Sequence, residues 1–205
     1  MRVLKSWYRQ REKPEGVLGK MAAGAMNRSN AKMSDWGMDH LSGVSPRVIA
    51  DLGCGGGRNI KNLLEKFPNA KLLGLDCSGA AVEVANSVNR AAVSEKRCRI
   101  LQGDVRNIPF RDEIADLVTA FDAVSCWEEP ETGLKEARRI LRNGGIFLIV
   151  SSRDGIPDGD RLLTGGGTAE MTKEKLCSLL KEAGFSDINV DHDSRRHLLC
   201  IICRR

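Results

Sequence analysis

Aromatic side chains are scarce in this chain, at 4% of 205 residues and with a single tyrosine. Surfaces that stack single-stranded bases combine aromatics with a continuous basic groove. Here the formal net charge is only +5, and the basic residues are scattered apart from the N-terminus and pairs such as Arg195 with Arg196 and Arg204 with Arg205. Solvated surface charge accounts for them better than a nucleic-acid interface. Long apolar runs are missing too, and none approaches the ~20 residues that cross a bilayer. The basic opening MRVLKSWYRQREKPEG lacks the apolar stretch and small-residue cleavage site of a secretory signal. Seven cysteines, odd in number and irregularly spaced, form no disulfide framework and point to a reducing compartment, by default the cytoplasm. Cys200 and Cys203 lie close together in LLCIIC, but that segment reads as a strand, where positions three apart face opposite ways. No metal site is expected.

What is present is a regular alternation of short apolar runs with helical patterns from about Arg47 onward, the mark of a parallel sheet covered by helices. VIADL, KLLGLD, CRILQGD, IADLVTAF and IFLIVSS read as five successive strands. Ile60, Leu63, Leu64 and Phe67 recur at helical spacing after the first, closed by Pro68 and Asn69. Ser78 caps the next helix, with Ala81, Ala85, Val88 and Ala92 along one face. Residues 132–142 form a helix stopped by Asn143, Gly144 and Gly145. Leu176, Leu179, Leu180 and Ala183 mark a later helix, from near Thr172 to Gly184. Two last strands, at 188–191 and 198–203, are joined by a turn at 192–196 too short for a helical crossover, so they pair antiparallel. The chain length suits one domain with an N-terminal appendage, and a glycine-rich loop at 153–167 borders the site.

Three features carry ligand chemistry. Asp51-Leu52-Gly53-Cys54-Gly55-Gly56-Gly57 joins the first strand to the first helix, where a glycine loop admits a ligand close to helix N–H groups. A dinucleotide site normally has an apolar strand end there and spreads its glycines around a pyrophosphate, which the carboxylate of Asp51 would oppose. An ammonium group suits Asp51 better. Asp76, ending the second strand, stands where an acid takes ribose hydroxyls, a feature shared by nicotinamide enzymes. Gly103-Asp104-Val105 ends the third strand, where Asp104 either accepts from an adenine amine or caps a turn.

In order and spacing, DLGCGGG, LDCSGAAVEVA, GDVRNIPF, IADLVTAF and ARRILRNGGIFLIV resemble the successive motifs of class I S-adenosylmethionine (SAM) dependent methyltransferases. The resemblance runs from about Arg47 to the C-terminus. It implies a Rossmann-like α/β fold: a seven-stranded, mostly parallel sheet with helices on both faces and an antiparallel C-terminal hairpin. It also implies SAM as cofactor, with Asp51, Gly53, Cys54 and Gly55 around the methionine portion and Asp76 with Cys77 at the ribose. Asp104 with Val105 would meet the adenine, and Ala120 with Phe121 would border the cofactor. Residues 46–205 form the cofactor domain, and residues 1–45 form a helical segment that, as in the family, folds over the cofactor as a lid. Met21, Met26, Met33, Met38, Trp36 and His40 lie within that segment.

Transfer from a sulfonium needs an oriented acceptor and exclusion of water more than dedicated catalysts. The segment FDAVSCWEEP after the fourth strand supplies candidates: Asp122, Glu128 or Glu129 as base, against a solvated loop entering a helix, and Trp127 as pocket wall, against core packing. His40 is a further candidate base. Asp122 is not followed by the paired prolines and aromatic of the family's exocyclic-amine methyltransferases. A small-molecule acceptor is therefore expected; RNA or protein modification, non-catalytic SAM binding and a nicotinamide oxidoreductase are the alternatives. Arsenite methylation would require Cys54, Cys77, Cys126 and Cys177 to converge.

Overall fold

The computed structural model describes residues 30–152 and 171–205, together with Gly16 and residues 19–21. Its elements run α1 (Ala31–Asp39), β1 (Val48–Leu52), α2 (Arg58–Lys66), β2 (Lys71–Asp76), α3 (Gly79–Val88), α4 (Arg90–Ser94), β3 (Cys98–Gln102), β4 (Ala115–Phe121), α5 (Pro130–Ile140), β5 (Leu141–Ser151), α6 (Lys173–Glu182), β6 (Ser186–Asp193) and β7 (Leu198–Arg204). Met26 and the loop at 153–167 lie outside the described residues.

The seven strands form one sheet in the order β3-β2-β1-β4-β5-β7-β6. Pairing is parallel from β3 through β5, and β7 runs antiparallel to both β5 and β6. That is the expected architecture, hairpin included. Alternation along the strands feeds two cores. Val118, Ala120, Phe147 and Ile149 pack with α5 and α6 on one face, while Ile49, Leu117, Leu148 and Val150 pack with α1 and α2 on the other. Cys200 and Cys203 go to opposite cores, as strand geometry demands.

Local chemistry sets the helix ends. Ser78 Oγ accepts from Ala81 N at 3.1 Å and Thr172 Oγ1 from Lys175 N at 3.2 Å, each satisfying an otherwise orphaned amide. Pro130 opens α5, where no N–H is needed.

Two expectations fail. The glycines after α5 do not stop it: the helix ends at Ile140, and Leu141 through Gly145 belong to β5. Between Ala115, paired with Leu141, and Leu117, paired with Ile146, the register jumps and the extra residues bulge out. The chain's last residue takes them up, since Gly144 N donates to Arg205 O at 3.3 Å and Arg205 N to Gly145 O at 3.1 Å. The stripe from Ala81 to Ala92 is also not continuous. Asn89 ends α3 by turning its amide onto Ala85 O and Gly57 O, both at 2.9 Å, which leaves Val88 43% exposed and Ala92 on the separate α4.

Helix α1 lies on the sheet itself. A Cβ on Gly37 would collide with Val150 of β5, and Met33 and Met38 are buried in the core beneath. No helix among the described residues is long and apolar enough to cross a membrane.

Candidate functional site

Strand order reverses between β1 and β4, and in such sheets ligands bind beyond the carboxyl ends of the strands at that crevice. The acids singled out in the sequence occur at those ends. Asp51, 1% exposed, is register partner to Thr119 on β4. Thr119 Oγ1 donates to Asp51 Oδ1 at 2.7 Å. The other oxygen, Oδ2, is buried without a hydrogen-bond partner. Burial, with Asp76 adding repulsion, pushes the Asp51 carboxyl up to about 7 against the opposing pull of Thr119.

The glycine loop folds back over the end of β2. Gly53 N and Cys54 N both donate to Leu75 O, at 2.8 and 3.0 Å, and Gly55 N donates to Asp76 Oδ2 at 2.8 Å. Ser78 N donates to Asp76 Oδ1 at 2.9 Å. The Asp76 carboxylate is thus pinned by one amide on each oxygen, leaving acceptor capacity on both. Its pKa is nonetheless raised, because burial outweighs the two amides. Gly57 must be glycine: its φ is +78°, and a Cβ would lie 2.7 Å from Ala85 Cα and from Asn89 Nδ2. Cys54 turns its side chain into the core beside Ile60 and Cys98, and burial pushes its thiol up. Only its backbone faces the loop. Cys77 is exposed beyond β2.

At the end of β3, Asp104 Oδ1 accepts from Arg106 N at 2.8 Å, capping the short 3-10 turn Val105–Asn107. The Arg106 guanidinium also grips both Asp104 oxygens and reaches Glu128 at 3.0 Å and Glu129 at 3.2 Å. Cap and ion pair therefore coexist at the position expected for adenine recognition. Val105 packs partly on the core.

Ala120 and Phe121, expected to border the cofactor, are buried on opposite faces of β4. The acceptor-side candidates disperse. Trp127, 7% exposed, is a core residue whose ring packs against Gly133 of α5, where a Cβ would sit 2.6 Å from Cε3. Glu128 and Glu129 are exposed partners of Arg106, and Glu129 Oε2 also accepts from Thr132 Oγ1 at 3.1 Å. His40 has both ring nitrogens engaged, Nδ1 with Trp36 O at 3.0 Å and Nε2 with Asp191 Oδ2 of β6 at 2.8 Å, three strands from β4. It fastens α1 to the sheet edge. Asp122 alone stays at the crevice. It adopts φ +52° and accepts from Ser152 N at 3.3 Å, Ser152 Oγ at 3.1 Å and Asn30 Nδ2 at 3.4 Å. Cys54 and Cys177 pack on opposite faces of the sheet, so the four cysteines do not converge.

Sequence reasoning missed Thr119, Asn89 and Arg106. The signal for Thr119 was a lone hydroxyl in an otherwise apolar strand, and for Arg106 its place two residues after Asp104. Asn89 carried no signal, since its role depends on the loop from the preceding crossover reaching it.

Residues 50–149 match the family described as a methyltransferase domain. The chain is 32% identical over 54% of its length to a malonyl-[acyl-carrier protein] O-methyltransferase of Dechloromonas aromatica, covering 38% of that protein. It is 29% identical over 76% of its length to the chloroplastic 2-methyl-6-phytyl-1,4-hydroquinone methyltransferase of Spinacia oleracea, covering 46% of it. It thus spans less than half the length of these two curated relatives. A solved SAM-dependent methyltransferase from Aquifex aeolicus shares the fold, with a TM-score of 0.73 at 15% identity over 90% of this chain and 97% of that one. With the motifs in family order along a sheet of this topology, the chain belongs to the class I SAM-dependent methyltransferases, and SAM is its cofactor.

Proposed function

We propose that this protein methylates a small-molecule acceptor in the cytoplasm. The observation that carries the reading is the buried Asp51 carboxylate beside the glycine loop, with one oxygen held and the other unpartnered. A buried acceptor left in this state calls for a cationic or donor ligand, and the ammonium of a methionine moiety supplies one. A pyrophosphate would be repelled by Asp51, whose place a dinucleotide site fills with an apolar strand end.

In this reading Asp51, Gly53, Gly55 and the backbone of Cys54 hold the methionine portion. Asp76 takes the ribose hydroxyls with Cys77 alongside. Asp104 and Val105 meet the adenine, Asp104 sharing its carboxylate with Arg106, and the backbone of Ala120 and Phe121 borders the cofactor. The lid proposed for residues 1–45, ahead of the domain at 46–205, has α1 as a described part, and most of residues 1–29 lie outside the described residues. The bound cofactor supplies a methyl group activated on sulfur. The protein's task is to hold the acceptor in line and keep water out, and Asp122 is the candidate base left at the crevice. One relative is named for a malonyl group on a carrier protein and another for a hydroquinone, which favours metabolite chemistry here.

Calorimetry with SAM, S-adenosylhomocysteine and NAD tests the cofactor site, with binding of the first two and not the third as the expected result. Incubation with methyl-labelled SAM and fractionated metabolite extract then tests the acceptor class. Label transferred only to RNA or protein would overturn the small-molecule assignment.

A further inference from the structure

Thr119 is fully buried in the centre of β4, between Leu117 and Phe121 on the same sheet face. The other core positions of that strand are apolar, and valine would fill the same volume with higher strand propensity and no hydroxyl to satisfy. A threonine here needs a reason, and its hydroxyl has one: the bond to Asp51 Oδ1 at 2.7 Å. It is the sole hydrogen bond to that carboxylate among the described residues.

Among the described residues, the charged and titratable groups around Asp51 give it no other support. Asp76, at the end of β2, repels it. The thiols of Cys54 on the loop and Cys98 on β3 are pushed up by burial and stay neutral. Arg58, which opens α2, turns to Asp35 of α1 at 2.9 Å.

We propose that Thr119 is a positioning residue for cofactor binding: its hydroxyl fixes one Asp51 oxygen, leaving the other oriented and ionised for the ammonium of the methionine moiety. The inference rests on the assignment of Asp51 to that ammonium. Without the hydroxyl, a buried carboxylate with no donor shifts toward its neutral form, and neutral Asp51 has no charge to offer.

The test is calorimetric titration of wild type, Thr119→Val, Thr119→Ser and Asp51→Asn with SAM and with methylthioadenosine, which lacks the amino-acid portion, at pH 6 and pH 7.5. Thr119→Val should weaken SAM binding about tenfold at pH 6 and less at pH 7.5, as expected if loss of the bond raises the carboxyl by about one unit. Methylthioadenosine binding should be unchanged, and Thr119→Ser should recover most of the SAM affinity. A merely structural role would weaken both ligands alike at both pH values and so overturn the proposal. So would wild-type SAM affinity in Thr119→Val while Asp51→Asn is impaired. Wild-type SAM affinity in Asp51→Asn would instead remove the assignment of Asp51 on which the proposal rests.

Discussion

Asp76 has each oxygen held by a backbone amide, from Gly55 and from Ser78, so its carboxylate is oriented before any ribose arrives. Replacing it with alanine removes a preorganised charged acceptor for two hydroxyls. Asp76→Ala should weaken SAM binding by about 1–3 kcal/mol in calorimetry, and unchanged affinity would remove Asp76 from the cofactor site. Trp127 leads to the opposite kind of expectation. With its ring in the core against Gly133, Trp127→Ala should cost about 3–5 kcal/mol in denaturant unfolding, whereas a pocket wall would mainly raise the KM for the acceptor. The contrast shows what a sequence discloses at this scale. Asp51 and Asp76 were legible because one lies next to the end of its strand beside a glycine loop and the other ends its strand beside a helix cap, a local context that defines their surroundings. Trp127 was not, because a tryptophan ahead of a proline-led helix looks the same whether it turns inward or outward. The turn is decided by Gly133, six residues on, which leaves room for the ring.

Element by element, the strands were readable because each is a short apolar run bounded by turn residues, and the C-terminal hairpin because its link is too short for anything else. The bulged start of β5 was hidden, since Asn143, Gly144 and Gly145 carry a helix-stop signal, while the contacts that draw them into the strand come from the distant Arg204 and Arg205. What fastens α1 was equally hidden. Asp35 binds Arg58 at 2.9 Å, Asn30 reaches Asp122 at 3.4 Å and His40 meets Asp191 at 2.8 Å, and these partners come from α2, the end of β4 and β6. They tie one helix to a neighbouring helix, to the end of a central strand and to the edge strand of the sheet. The exposed Asp191 adds little to global stability, yet it anchors one end of α1. Asp191→Ala should therefore speed amide hydrogen exchange across residues 31–40 while the melting temperature barely moves. Unaltered exchange there would show that apolar packing of Met33, Gly37 and Met38 holds the helix by itself.

For the molecule as a whole, the Asp51 carboxyl links cofactor capture to folding. Its pKa rises from an ordinary 3.8 in the unfolded chain to about 7 in the fold. A raised value means that the folded state binds the proton more tightly, so its contribution to stability is complete below about pH 4 and is lost as pH rises through about 7. The difference is on the order of 4 kcal/mol, at 1.36 kcal/mol per pH unit, of which roughly 3 kcal/mol falls between pH 5 and pH 8. Asp76, also raised, acts in the same direction; Glu136 and Asp191, both lowered chiefly by their basic partners Arg139 and His40, act in the opposite direction at lower pH. Asp51→Asn isolates the one group, because the amide keeps the shape without the charge. Denaturant unfolding of the unliganded protein should show wild type losing stability relative to Asp51→Asn between pH 5 and pH 8. Saturating SAM should shrink that loss, since an ammonium beside the carboxylate compensates the charge that burial penalises, whereas NAD should leave it intact. Parallel pH profiles for the two unliganded proteins would mean that Asp51 is ionised throughout, and the cost of keeping it so would then have to be met by a partner other than the cofactor.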